Sequence, residues 1–565
     1  MKQLTAQLLG VFRKREMRSN LGALAKLLAL LLATIAVYSV GFHLLMAWEG
    51  QNHTWLTGVY WTLTVMSTLG FGDITFHTDV GRGFSILVLV TGIVLMLIVL
   101  PFAFIRFFYA PWLEAQVHLR APRSAPEDMQ DHVVVARYDA LAETLIARMA
   151  DEGVPCLVLE PDPARGVQLL GEGVGVVVGE PDAETTWQAA RSAHAALCVA
   201  NQDDASNTNV VLTIREHMDR VPIVALADKT DSVDILSLSG ASHVLLLKQR
   251  LGQELASRID PSRPRYFAVP GSDDLLLSEL PMRNARVAGR TFLESELHAY
   301  TEVEFVALRR RGRMLPISPG TRLEPESSLM VCGQADALSA LQRSVLEEDP
   351  RPGPTLVIGG GKVGCAVLED LLRAKRAAHV IDSDASIAET LRSLATKVVV
   401  GDAASLEVMH AAEIESATAV LLTTHDDAVN IYLAVYARRL NPTCRILSRV
   451  THDRNIEAIY RAGADFVLSQ SSLGAELVLG LVQGREIAVL GEGADLFTER
   501  APSALTGSVS AARATLQGMG LQLVAIRDAQ QSSRAAQTVK SLAAGAELTL
   551  LGARDARRRL ERMQL

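Results

Sequence analysis

The sequence predicts a two-span α-helical membrane domain with a short re-entrant helix, fused to two α/β domains on parallel sheets. Each α/β domain is trailed by a small α+β lobe. Three observations carry this reading. Two charge-free apolar runs near the amino terminus, residues 27–48 and 83–105, are each long enough to cross a bilayer. A shorter apolar run lies between them. The remainder alternates strand-like and helix-like segments, and does so twice at a fixed spacing.

The spans come first. About 20 apolar residues cross a hydrocarbon layer of ~30 Å. His43 is the one side chain in 27–48 of a type that titrates near neutral pH, and Arg82 and Arg106 frame 83–105. A long basic stretch precedes the first span and no small-residue cleavage site follows it, so it does not read as a cleavable signal. Arg13, Lys14, Arg15, Arg18 and Lys26 lie before it, whereas Glu49, Asp73, Asp79 and Arg82 lie between the spans. The positive-inside rule therefore places both termini in the cytoplasm and the protein in the cell (inner) membrane. A net charge of −8 over 565 residues, with no basic stripe, excludes a general nucleic-acid binder. The five cysteines show no zinc spacing and read as small hydrophobes in a reducing compartment.

Residues 55–67 (WLTGVYWTLTVMS) are apolar but too short to span, as expected of a re-entrant helix. Thr68, Leu69, Gly70, Phe71, Gly72 and Asp73 follow at once. Irregular backbone is tolerated at membrane depth only where it is buried or lines a water-filled cavity. Glycines let successive carbonyls face one way, and a ring of such oxygens with the Thr68 hydroxyl can replace a cation's hydration shell. One chain supplies one strand of that ring, so several subunits must surround an axis.

These residues resemble the filter T-V-G-Y-G-D of two-transmembrane potassium channels. Leu69 departs from the family valine, and Phe71 lacks the tyrosine hydroxyl that bonds a pore-helix aromatic, for which Trp61 is the expected position. The resemblance makes Gly92 a hinge glycine, although glycine also marks close helix contacts. Pro101 should kink the inner helix or loosen its hydrogen bonds. Met96, Leu97 and Leu100 are candidates for an apolar constriction; Gly92, Leu97 and Pro101 form the expected gate. No arginine-repeat helix precedes the pore, so the gate needs a driver other than voltage.

That driver is sought in the repeat. DDASN at 203–207 recurs as DDAVN at 426–430, and SGASHVL recurs as AGADFVL, both at a spacing of 223 residues. In the second copy, Gly359, Gly361 and Gly364 satisfy G-x-G-x-x-G between a strand and a helix, with Lys362 inside the motif. Asp382 ends the next strand about twenty residues on, completing a Rossmann-like dinucleotide fingerprint. Its carboxylate suits ribose hydroxyls and repels a 2′-phosphate, favouring NAD or another adenine nucleotide (ADP or ATP) over NADP. The first copy has Ala136, Tyr138 and Leu141 at the aligned positions and keeps an acid only at Glu160, so no dinucleotide is expected there.

The two halves resemble tandem RCK domains, the regulators of potassium conductance attached to prokaryotic channels. The resemblance implies a homotetramer with eight RCK domains in a cytoplasmic gating ring that responds to small ligands. It also implies that Gly401, Asp402 and Thr423 border the adenosine end of the cleft, although Asp402 reads equally well as a turn acid. LGAELVLGLV, residues 473–482, looks like the helix that pairs neighbouring domains. Of the family's calcium ligands only Asp228 is kept, with Ala200 at the earlier aspartate position. Calcium is carried as a candidate second ligand with no site assigned, since Asp203 and Asp204 also suit helix capping.

The expected domains are an amino-terminal segment (1–20), the pore (21–109) and a linker (110–130). Then come the first Rossmann-like lobe (131–261) with its C-terminal lobe (262–345), a linker (346–353), and the second pair (354–485 and 486–565). The reading is a ligand-gated potassium channel, not an enzyme, with potassium as the permeant ion. The alternatives are a membrane-anchored NAD-dependent oxidoreductase and a potassium transporter subunit. Scattered His410, His425 and His452 give the first no donor–acceptor constellation. The second should show several pore repeats in one chain, and this chain has one.

Overall fold

A computed structural model describes residues 15–109, 113, 121–259, 265–272, 274–283, 285–346, 353–484, 490, 495–527, 533–543 and 545–563. Arg13, Lys14, most of the linker expected at 346–353 and part of that at 110–130 lie outside the described residues.

In the membrane unit, α1 (Arg15–Trp48) and the helical stretch Asp79–Phe107 are long and apolar enough to cross a membrane. Between them α2 (Trp55–Met66) starts where the Thr54 hydroxyl accepts the Thr57 amide. Its buried side brings Trp61 and Met66 against Phe42, Met46, Phe76 and Val88. Helix α3 (Asp79–Gly92) begins under a double cap. The Thr78 hydroxyl accepts the Gly81 amide, while Glu49 accepts the amides of His77 (3.0 Å) and Thr78 (3.1 Å). Beyond Gly92 the helix continues through wider π-helical turns, Ile93–Val99 and Ile105–Tyr109, around the short α-segment Leu100–Phe104. Pro101 has no amide to give, and the slack expected from it is taken up by these turns.

The second unit holds two parallel six-stranded sheets of the same order. The first is built from β1 (Val133–Val135), β2 (Cys156–Glu160), β3 (Val176–Val178), β4 (Leu197–Ala200), β5 (Ile223–Leu226) and β6 (His243–Leu245). Its order is β3-β2-β1-β4-β5-β6. The second, in the order β9-β8-β7-β10-β11-β12, uses β7 (Thr355–Ile358), β8 (Ala378–Asp382), β9 (Lys397–Val400), β10 (Ala419–Leu422), β11 (Arg445–Val450) and β12 (Phe466–Ser469). Runs such as VVV, LCVA and TLVI are buried on both faces, as sheets covered by helices require. Between β7 and β10 the strand order reverses, and such a switch point opens a crevice at the carboxyl ends of the strands.

The repeated DD-x-x-N motif is a staple. Asp203 caps the helix Asp204–His217 through the amides of Ala205 and Ser206 (both 3.1 Å). Asp204 then accepts the Asp228 amide (2.7 Å), the Lys229 amide (3.2 Å) and the Ser232 hydroxyl (2.6 Å). In the second copy Asp427 accepts the equivalent amides of Thr451 (2.7 Å) and His452 (3.1 Å) and the Asn455 side chain (2.7 Å). These bonds fix the loop that follows the fifth strand of each sheet.

The repeats interlock through helices. Helix α4 (Ala140–Asp151) packs on α7 (Gln470–Gln483), and α5 (Leu247–Ala256) packs on α6 (Lys362–Arg373). Each repeat's first helix thus meets the other's last. Gly252 permits the second contact: a Cβ there would lie 2.6 Å from the Val363 carbonyl oxygen and from the Ala366 Cβ. The stretch 473–482 does pair domains, with Leu473, Ala475, Val478 and Leu479 buried.

Each sheet is followed by an antiparallel lobe, of five strands within 266–333 and of four within 495–552. The first lobe carries a buried ionic cluster. Glu279 pairs with Arg258 (2.7 Å) and Arg309 (3.3 Å), and both guanidinium groups lie over the Phe466 ring, at 3.9 and 5.2 Å. Burial alone would raise the Glu279 carboxyl; Arg309, Arg258 and Arg445 outweigh it and hold it at about 2. Glu279→Gln leaves buried guanidinium charge uncompensated, at a cost of ~3–5 kcal/mol, and is expected to lower the melting temperature. The unfolded carboxyl titrates near ~4.3. Its depressed folded value gives stability that is complete above that range and drains as pH falls toward 2. The melting gap between wild type and variant should therefore narrow on acidification.

Candidate pore loop and nucleotide cleft

After α2 the chain turns through the six positions expected to form the filter, residues 68–73. Thr68 has φ +63°, Gly70 +46° and Gly72 +75°, whereas Leu69 and Phe71 are not in the positive-φ region. Positive φ at every second residue brings successive carbonyl oxygens to one side of the strand. Thr68 holds this conformation without being glycine, at a steric cost that L-residues seldom bear. Bonds from the Thr68 amide to the Val65 carbonyl (3.0 Å) and the Leu69 amide to the Thr64 carbonyl (2.9 Å) tie the loop to the end of α2.

The aromatic neighbour of the filter is not the expected one. Trp61 is 4% exposed and packs among Phe42, Phe76 and Phe84. Tyr60 instead donates its hydroxyl to Asp73 Oδ2 at 3.1 Å and lies parallel to the Phe71 ring at 6.4 Å. One helical position separates the core-facing ring from the filter-facing one, and apolar composition alone did not resolve it. Gly92 has helical torsions (φ −61°, ψ −48°), and a Cβ there would collide with the Met66 backbone. Its geometry is that of a close helix crossing, the use of glycine named beside the hinge. Leu97 is exposed in the single subunit, while Met96 and Leu100 are half-buried.

In the second repeat the three motif glycines serve three purposes. Gly359 has φ +105°, which makes the turn out of β7. A Cβ at Gly361 would meet nothing within 4 Å, so the backbone at the amino terminus of α6 is open to a ligand. A Cβ at Gly364 would collide with the Gly359 carbonyl oxygen, so helix and turn close only without one. Asp382 Oδ2 accepts the Gly360 amide at 2.6 Å and Oδ1 accepts the Asp384 amide at 2.8 Å. Each oxygen retains a lone pair for a further donor.

Three expected cleft residues have structural partners. Thr423 is buried and donates to the carbonyls of Gly359 (2.7 Å) and Ile358 (3.0 Å), so it clamps the turn. Asp402 accepts the Ala404 amide (2.8 Å), the turn role named beside ligand contact. Lys362 pairs with Asp228 of the first repeat (2.8 Å) rather than reaching along the glycine turn. Gly401 packs against Val408, where a Cβ would approach to 2.8 Å. The Tyr60–Asp73 and Lys362–Asp228 contacts were both missed from sequence.

In the first repeat Arg137 stands at the position of Gly360, and the Asn201 side chain brackets it, accepting its amide (3.0 Å) and donating to its carbonyl (2.9 Å). Asp139 caps α4 at the Ala142 amide (2.8 Å). Asp228 also pairs with Lys248 (2.8 Å), and Asp203 and Asp204 are occupied in the staple. Among the described residues no three His, Cys, Asp or Glu side chains cluster as a metal site. All five cysteines are free, and burial pushes the Cys156, Cys198 and Cys332 thiols up to about 12.

Comparison with known proteins bears on both sites. The ion channel family model matches residues 26–109, and the TrkA-N domain model matches 133–247 and 355–470. A solved structure described as the GsuK channel bound to NAD is 31% identical, covers 97% of this chain and 99% of that one, and superposes with a TM-score of 0.54. The chain belongs to the potassium channels that carry RCK regulatory domains. Membership places it among ion channels rather than enzymes, and implies an oligomer in a membrane. The isolated GsuK RCK domain is 28% identical over 80% of this chain and 99% of its own, with a TM-score of 0.54. "Probable potassium channel protein 2" of Methanocaldococcus jannaschii is 24% identical over 224 residues, 38% of this channel's chain. The chain spans 64% of that relative's length.

Proposed function

We propose that four copies of this chain bring residues 68–73 together around an axis and conduct potassium selectively. The observation that carries the reading is the alternating sign of φ from Thr68 to Gly72 at the end of a helix too short to span. Eight RCK repeats then form a ring on the cytoplasmic side, where the basic residues before the first span and the positive-inside rule put both termini.

The regulatory ligand is an adenine nucleotide in the cleft of the second repeat, with NAD favoured. Support comes from the open backbone at Gly361, from Asp382 at the end of β8, and from the NAD-bound state of the GsuK relative. A ligand shifts the gate only by its differential affinity for open and closed rings, and the inner helix around Gly92, Leu97 and Pro101 converts the shift into pore opening. Protein reconstituted in liposomes should pass potassium well ahead of sodium, and NAD added to the cytoplasmic face should change the flux. Equal passage of both ions would reject the pore reading; indifference to NAD, ADP and ATP alike would reject the ligand reading.

A further inference from the structure

The first repeat has none of the motif glycines, yet it supplies an acid to the motif of the second. Lys362 is the first residue of α6, next to the open backbone of Gly361. Its Nζ lies 2.8 Å from Asp228 Oδ2, just past β5 of the first repeat. Lys248, at the start of α5, straddles the same carboxylate, 2.8 Å from Oδ1 and 2.9 Å from the Oδ2 that Lys362 holds. Burial would raise the Asp228 carboxyl, but bonds from Lys248 and Lys362 outweigh it and leave it lowered. One carboxylate thus serves two ammonium groups, with one positive charge left over beside the helix amino terminus.

Three features make this arrangement sensitive to an anion. The side chains are only partly covered, at 36% exposure for Asp228, 34% for Lys248 and 43% for Lys362, so the pairs are exchangeable. Lysine is a point charge on a flexible stem and can trade one oxygen for another. The backbone on both sides is fixed: the Asp204 carboxylate holds the Asp228 amide, and Gly252 sets α5 against α6 at Val363 and Ala366. A change of partner at Lys362 therefore falls on a rigid joint between the repeats.

The geometry points to Asp228 as a competitor of the nucleotide phosphate for Lys362, so that occupancy of the second repeat's cleft is reported to the first repeat through the Asp228–Lys248 pair. This rests on the nucleotide reading above. When phosphate settles at the Gly361 backbone, Lys362 exchanges the carboxylate for a phosphate oxygen and Asp228 is left to Lys248 alone. The inter-repeat ion pair is lost as the ligand enters, which supplies the differential affinity a gating ring needs.

The test is NAD binding to the full-length protein in detergent by calorimetry, with flux from liposomes measured alongside. Asp228→Asn frees Lys362 and should tighten NAD by about two- to fivefold, while shrinking the change in flux that NAD produces. Lys248→Gln leaves Asp228 wholly to Lys362 and should weaken NAD, although Lys248 belongs to the other repeat. In Lys362→Gln the gain from Asp228→Asn should vanish; a general field effect would leave it in place, and that result overturns the proposal. Wild-type affinity in both Asp228→Asn and Lys248→Gln also overturns it, while leaving the nucleotide site standing if Asp382→Ala still loses NAD. No binding of NAD, ADP or ATP to the wild type removes both.

Discussion

Replacing Gly72 with alanine is expected to abolish potassium-selective flux, whereas replacing Gly50 with alanine should leave selectivity intact. The two glycines make a matched pair. Their φ values are +75° and +76°, and in neither case would an added Cβ meet an atom within 4 Å. Each substitution therefore carries the same local penalty, about 1–2 kcal/mol per chain for an L-residue held left-handed. What differs is the consequence of relaxing it. At Gly50 the turn after the first span can ease by a few degrees with no ligand to lose. At Gly72 any easing rotates a carbonyl out of the alternating series that starts at Thr68, and in the proposed tetramer all four chains would do so in one ring. Potassium and sodium fluxes from liposomes, with both variants checked for assembly by size, decide the matter. Retained preference in Gly72→Ala would sink the filter assignment; lost preference in Gly50→Ala would show that strain in the loop, rather than carbonyl placement, had been measured.

What could be read in the sequence was local or periodic. The spans needed only length and absence of charge, and the repeat needed only self-similarity, so both sheets stand where alternating apolar runs put them. The glycine motif was legible because each glycine answers to a local demand of the backbone: the turn at Gly359, the open approach at Gly361, the close pack at Gly364. Contacts across distant segments were not legible. Whether Tyr60 or Trp61 faces the filter depends on how α2 rotates against Phe42 and Phe76, a matter of packing and not of composition. Lys362 is counted with the nucleotide-binding residues because of its place in the motif, yet its partner lies in the other repeat, brought there by the contact of α5 with α6. Thr423 shows a further limit: it lies just past β10, and its hydroxyl is spent on the turn that Gly359 makes. The DD-x-x-N repeat was seen at once, and its purpose as a staple became apparent only from the amides of Asp228 and Thr451.

Asp382→Ala is expected to weaken NAD binding by about tenfold to a hundredfold and to erase the preference for NAD over NADP. The carboxylate has two duties that the substitution ends together. It accepts the amides of Gly360 and Asp384, and a hydrogen bond to a charged group contributes about 1.5–3 kcal/mol. Without it the Gly360 amide loses its partner and the glycine turn loses its anchor to β8, so the backbone at Gly361 is no longer held ready for a pyrophosphate. In the proposed nucleotide site the remaining lone pairs would accept from ribose hydroxyls, and the same charge would repel a 2′-phosphate. The two effects separate by ligand: a loosened turn weakens both dinucleotides, while the missing charge penalises NAD alone and relieves NADP. Asp384→Ala serves as the neighbouring control, since that carboxylate accepts the exposed Ser386 amide (2.9 Å) and makes no bond to the turn. It should shift NAD affinity by no more than about twofold. Titrations with both dinucleotides would show a collapse of their affinity ratio in Asp382→Ala; an affinity ratio unchanged from wild type would mean that the cleft does not read the ribose at this residue.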